Sequence, residues 1–233
     1  MNRPSDSQQP VSRQQQEDSA VKTLPPSYRT LYLILYNAIS ALLWSVVLGR
    51  VLLITAIHGH RYVFAGVGEW TKWTQTLAAL EVVHAGIGLV RAPLLTTLMQ
   101  VASRFLLVWL IGHNFPSTVS TSPAYTTMLL AWSVTEVIRY SYFAVNLAYG
   151  GVPAFMTWLR YNTFFVLYPL GISSECWLVW ASREAGISKF GEVWGWFVYA
   201  VLAVYVPGAY VLFSHMMVQR RKVLRSAREK KDI

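Results

Sequence analysis

The stretch Arg160-Tyr-Asn-Thr-Phe-Phe-Val-Leu-Tyr168-Pro-Leu-Gly171-Ile-Ser-Ser-Glu175 sets a phenol and a carboxylic acid inside a long apolar run. The run continues from Ala154 to Ala181 and reads as a membrane-spanning helix, which sets the class of the fold. A carboxylate in hydrocarbon costs roughly 3 kcal/mol or more, so a chain that keeps one there gives it a partner or a task. Tyr168 and Glu175 are seven residues apart, close to two helical turns, and return to nearly the same face. Gly171 lies on that face between them and leaves room for a substrate. Seven residues rise about 10.5 Å in a straight helix, too far for a direct hydrogen bond without distortion at Pro169 or Gly171. The two groups therefore read as an acid/base pair forming two walls of one cleft.

Working outward, the 233-residue chain is 54% hydrophobic, 14% aromatic and only 13% charged, which marks an integral membrane protein. A span needs roughly 20 mostly apolar residues. Six segments qualify: Leu31 to Ile57, Trp73 to Ala92, Leu95 to Gly112, Tyr125 to Leu147, Ala154 to Ala181 and Val193 to Val218. Glu81, His84 and several glycines dilute the second, whose alternative is a re-entrant or interfacial helix. Residues His58 to Lys72 and Ser182 to Glu192 fall in loops. An even number of spans puts both termini on one side. Much of the net charge of +9 lies in Arg220, Arg221, Lys222, Arg225, Arg228, Lys230 and Lys231, after the last apolar run. Under the positive-inside rule that side is the cytosol. The expected fold is all-α: a polytopic six-helix transmembrane bundle with both termini cytosolic.

Residues 1–30 are polar, with Gln14, Gln15 and Gln16 in a row, and read as a disordered tail too long and polar to begin a cleavable signal peptide. Residues 219–233 read as a basic cytosolic tail, in which Lys230 and Lys231 look like a dilysine retrieval signal of endoplasmic reticulum membrane proteins. The basic charge thus belongs to a membrane flank, and nucleic acid is not an expected partner. The single cysteine, Cys176, permits no internal disulfide. It has no Cys-x5-Arg context either, since Arg183 stands seven residues on.

Further polar residues interrupt the spans. Glu81, His84 and Gly88 share one helical face, and Thr97, Gln100 and Arg104 share another on the next segment. Glu136, Arg139 and Tyr140 follow helical spacing, with Trp132 one turn earlier. Glu136 and Arg139 can pair, as a structural clamp or as part of a ligand site. His84 reads as a hydrogen-bonded packing residue, and Trp132 as core or interface belt. Arg91, before Pro93, can snorkel to the surface. Arg91, Arg139 and Arg160 fall towards the cytosolic side, with Arg104 near mid-depth. Arginine suits forked binding of phosphate, so a polyphosphate head group with an apolar tail descending into the bundle would fit them.

The pattern excludes several chemistries. The histidines His58, His60, His84, His113 and His215 make no histidine box, and Gly-x-Ser-x-Gly, P-loop and dinucleotide glycine patterns are absent. No metal and no cofactor is expected. Proton transfer on an amphiphile remains, with Tyr168 and Glu175 as donor and acceptor in either order. Loss of water from a 3-hydroxyacyl thioester fits, among several lyase or isomerase reactions.

Three ordered blocks carry a family resemblance: Leu80-Glu-Val-Val-His84 through Arg91-Ala-Pro93 to Gln100-Val-Ala-Ser-Arg104, Trp132 through Tyr140, and Arg160 to Glu175. Together they resemble the very-long-chain (3R)-3-hydroxyacyl-CoA dehydratases, the PTPLA-like family, from about Leu31 to Lys222. Ala92 departs from the Ser that many members carry. The resemblance implies a transmembrane dehydratase domain at 31–218, residence in the endoplasmic reticulum membrane, and dehydration of (3R)-3-hydroxyacyl-CoA to trans-2-enoyl-CoA in fatty-acid elongation. It implies catalytic roles for Tyr168 and Glu175, and substrate-binding or supporting roles for Arg160, Gly171, Arg104, Glu136 and Arg139, to which Arg91 is added from its position. Implied partners are acyl-CoA, the bilayer, and the elongase, ketoacyl-CoA reductase and enoyl-CoA reductase. The rival reading is a non-catalytic membrane adaptor or transporter whose buried charges are structural.

Overall fold

The computed structural model describes residues 27–229. The expectations for the polar tail before residue 27 and for the Lys230-Lys231 signal lie outside the described residues. Helix α1 (Tyr28–His58) starts where the Ser27 side chain accepts a hydrogen bond from the Thr30 backbone N–H and ends at Gly59, whose φ of +86° favours glycine. A 3-10 turn (His60–Tyr62) leads into α2 (Val63–Thr76), followed by α3 (Ala79–Gly86). Helix α4 (Leu94–Phe105) continues as a π-helical stretch through Leu106–Gly112. A short α5 (Pro116–Thr121) precedes α6 (Pro123–Tyr149), which has Ser122 at its N-cap and a proline in its first turn. Then come α7 (Ala154–Asn162), α8 (Phe164–Phe190) and α9 (Glu192–Glu229).

The described residues form an all-helical bundle. Four helical stretches, Tyr28–His58, Leu94–Gly112, Ala154–Phe190 and Glu192–Arg225, are long and apolar enough to cross a membrane. Helix α6 stands at the centre, packed on α1 and on α8, while α9 packs on the far side of α8. Trp44, Val47 and Val51 of α1, Met128, Leu129 and Trp132 of α6, and Leu178 and Val179 of α8 make the continuous core. The outside is apolar too: Leu35, Ile39, Leu53, Val166, Trp177, Val204 and Val206 are exposed. In water such a surface would be a liability, whereas in lipid it is the solvent-facing side of the fold.

Several boundaries differ from the sequence expectation. The second segment is not one rod from Trp73 to Ala92. It begins at Val63, kinks at Leu77 and Ala78, and stops at Gly86, because Gly88 turns the chain at φ +70° ahead of Pro93. The fifth segment is broken at Thr163 into α7 and α8. Ser182 to Glu192 is no loop: α8 runs on to Phe190, since Ser182 and Gly186 are buried beneath Trp194, whose indole N–H donates to the Ser182 carbonyl at 3.1 Å. Likewise 58–72 is mostly helical, and the basic residues Arg220, Arg221, Lys222, Arg225 and Arg228 continue α9.

Candidate active site

Helix α8 carries Tyr168, Gly171 and Glu175 in uninterrupted helix, even with Pro169 inside it. The Tyr168 hydroxyl donates to the Ala209 carbonyl of α9 at 2.9 Å, and its ring lies 5.8 Å from that of Phe213. Glu175 is buried at 7% exposure. Its Oε1 accepts from the Trp132 indole N–H of α6 at 2.8 Å, and its Oε2 accepts from the Tyr205 hydroxyl of α9 at 3.0 Å. Each of the two groups is thus bonded to a neighbouring helix and not to the other. This agrees with the long rise between them.

Gly171 is buried against α6. A Cβ added there would lie 3.6 Å from Ala131 Cβ and 4.0 Å from Glu175 Oε1, in ordinary van der Waals contact. A methyl group would fit at this position without moving α6. Most of the space above it is occupied by α6 itself.

A second set of charges lies one to two turns further along α6. Glu136, 3% exposed, accepts from Arg104 of α4 and from Arg139 Nε at 2.7 Å. Arg139 also forks onto Glu81 of α3 at 2.8 and 2.7 Å, and the Tyr140 hydroxyl donates to the same carboxylate. Two arginines and two glutamates make a charge-balanced network, the condition under which buried charge is tolerable. The Arg104 guanidinium also sits 5.0 Å over the Trp132 ring, which ties the network to the indole that holds Glu175.

The arginines do not act as one group. Arg104 and Arg139 are neutralised within the bundle. Arg160, on α7, lies 4.3 and 4.7 Å over the rings of Phe143 and Tyr142, and its Nε is buried without a hydrogen-bond partner. Arg91 is exposed between α3 and α4. His84 is a packing residue, buried and bonded to the Tyr32 hydroxyl at 2.8 Å. Among the described residues no three His, Cys, Asp or Glu side chains converge as a metal site.

Two residues at the carboxylate went unread in the sequence. Trp132 was assigned to core or belt, and Tyr205 had no assignment. Tyr205 stands in Ala203-Val-Tyr-Val-Pro207, where nothing but its hydroxyl sets it apart from other aromatic residues near the membrane. Only the crossing of α8 and α9 shows what it meets.

The arrangement can hold one proton donor and one proton acceptor two turns apart on one helix, screened from water. Fold and site define an all-helical membrane protein with a buried glutamate held between three helices. Residues 75–226 match the family described as protein tyrosine phosphatase-like protein, PTPLA, and the chain belongs to that family. It is 46% identical to a probable very-long-chain (3R)-3-hydroxyacyl-CoA dehydratase of Schizosaccharomyces pombe, over 84% of this chain and 94% of the relative. It is 40% identical to the very-long-chain (3R)-3-hydroxyacyl-CoA dehydratase PASTICCINO 2A of Oryza sativa subsp. japonica, over 86% and 96%. Very-long-chain (3R)-3-hydroxyacyl-CoA dehydratase 2 of Homo sapiens is 32% identical over 87% and 84%. No solved structure matches the chain significantly.

Proposed function

We propose that this chain is a very-long-chain (3R)-3-hydroxyacyl-CoA dehydratase, releasing trans-2-enoyl-CoA and water in the third step of fatty-acid elongation. Membership of the family supports the activity. The observation that supports the chemistry is the pair Tyr168 and Glu175 on one face of α8, with the carboxylate buried and oriented by two donors. Glu175 takes the proton alpha to the thioester, the Cα–H electrons form the double bond, and the Cβ–O bond breaks. Tyr168 protonates the departing hydroxyl, which leaves as water. A proton passing from Glu175 back to the Tyr168 phenolate completes the cycle. Substrate reaches both groups from the α8–α9 side, replacing the Tyr168 bond to Ala209.

Arg160 is the phosphate contact for the CoA head group, with Arg91 at the entrance. Arg104, Glu136 and Arg139 brace the site through Trp132, and Gly171 faces α6 between Tyr168 and Glu175. Under this reading the chain crosses the endoplasmic reticulum membrane six times with both termini cytosolic. Helix α2 with α3, and α6, then supply the two crossings beyond the four most apolar stretches. The elongase and the two reductases of the cycle are its partners in handing on acyl-CoA.

Tyr168→Phe and Glu175→Gln should each abolish dehydration in purified membranes while the protein accumulates normally. The adaptor or transporter reading expects the opposite: lost abundance or assembly with no accumulation of 3-hydroxyacyl-CoA. Full turnover in either variant would sink the catalytic assignment.

A further inference from the structure

Resting on that reading, we infer that Tyr205 is a positioning residue which, together with Trp132, selects Oε2 of Glu175 as the oxygen that accepts the substrate proton. The two donors that grip the carboxylate differ in kind. An indole N–H can only donate, so Oε1, at 2.8 Å from Trp132 Nε1, is held as an acceptor throughout the reaction. A phenol can donate or accept by rotating its O–H bond. Tyr205 at 3.0 Å from Oε2 therefore suits both states of that oxygen, donating to the carboxylate and accepting from the acid. A proton resting on Oε2 finds an acceptor in the Tyr205 oxygen, whereas one on Oε1 finds none, because the indole N–H cannot receive it.

The placement of Tyr205 supports a specific function. Helix α9 is largely lipid-facing here: Val204 and Val206 on either side are 64% and 73% exposed, and Tyr210 is 75% exposed. Tyr205 is turned inward, and one helical turn further on Ala209 receives the Tyr168 hydroxyl. The same face of α9 thus touches both members of the pair. Arg104, stacked on the Trp132 ring, fixes the indole side of the grip.

Tyr205→Phe keeps the ring and removes only the hydroxyl. Assayed on full-length detergent-purified enzyme with a 3-hydroxyacyl-CoA, it should lower kcat by about tenfold or more per mole of folded protein, with KM within about twofold of the parent. A smaller fall in kcat per mole of folded protein, or an effect carried by KM, would overturn the inference. Should Tyr205→Phe not fold, Trp132→Phe, which removes the other donor, is judged by the same kcat criterion. Glu175→Gln run in parallel separates the two levels. If it stays active, the catalytic reading itself fails; if it is dead while Tyr205→Phe turns over normally, only the role of Tyr205 fails.

Discussion

Glu136 carries two guanidinium groups on its two oxygens, Arg104 on one and Arg139 on the other. Half of that arrangement is visible in the sequence, because Glu136 and Arg139 are three apart on one helix. The other half is not, because Arg104 and Glu81 arrive from α4 and α3. Neutralising the glutamate leaves two arginines competing for Glu81 in a dry interior. Glu136→Gln should therefore destabilise the bundle by about 3–5 kcal/mol, read as a fall in the detergent thermal-unfolding midpoint. Arg160 is the opposite case, a cation seated on aromatic rings, with Nε unbonded and, among the described residues, no carboxylate in a salt bridge with it. Arg160→Gln should raise KM for a CoA thioester by about tenfold, the worth of one charge-assisted contact. The corresponding pantetheine thioester, which lacks the nucleotide phosphates, should show no such change in a parallel assay.

At the scale of elements, the working unit is α8 with α9. Their antiparallel crossing sets Tyr168 against Ala209, Glu175 against Tyr205, and Ser182 against Trp194. The lower end of the crossing depends on Gly186: a Cβ there would fall 2.0 Å from the Trp194 ring, so the indole would have to move. Gly186→Ala should cost about 1–3 kcal/mol by overpacking, seen as a lower unfolding midpoint, while activity per folded molecule is retained because Glu175 lies three turns away. Hydropathy marked this part of α8 as a loop because Arg183, Glu184 and Lys189 interrupt the apolar run. Burial of Ser182 and Gly186 under Trp194 keeps it helical.

For the whole molecule, the apolar exterior and the charged centre are two aspects of one constraint: lipid cannot hydrogen-bond, so the carboxylates Glu81, Glu136 and Glu175 are turned inward and bonded to side chains of other helices. The proposed six-crossing arrangement makes a direct prediction about sidedness. In a Cys176→Ser background, a cysteine replacing His60 should react with an impermeant maleimide only after the lumenal face is opened. One replacing Arg91 should react in sealed microsomes. The reverse pattern would invert the topology and place the Arg160 end of the bundle away from cytosolic CoA thioesters.

Helical periodicity and hydropathy are local properties, and they sufficed for the class of fold, most of the span positions, the Tyr168–Gly171–Glu175 face and the Glu136–Arg139 pair. They also showed that Tyr168 and Glu175 stand too far apart along a helix to bond directly. Which residues grip Glu175, which arginines are already neutralised, and what occupies the space over Gly171 depend on the rotation and depth at which α4, α6 and α9 meet α8. Those contacts join residues 29 to 59 positions apart, such as Gln75 with Arg104 and Glu81 with Tyr140. No periodicity along one helix encodes such a pairing. It follows from side-chain packing between helices, and only the tertiary structure decides it.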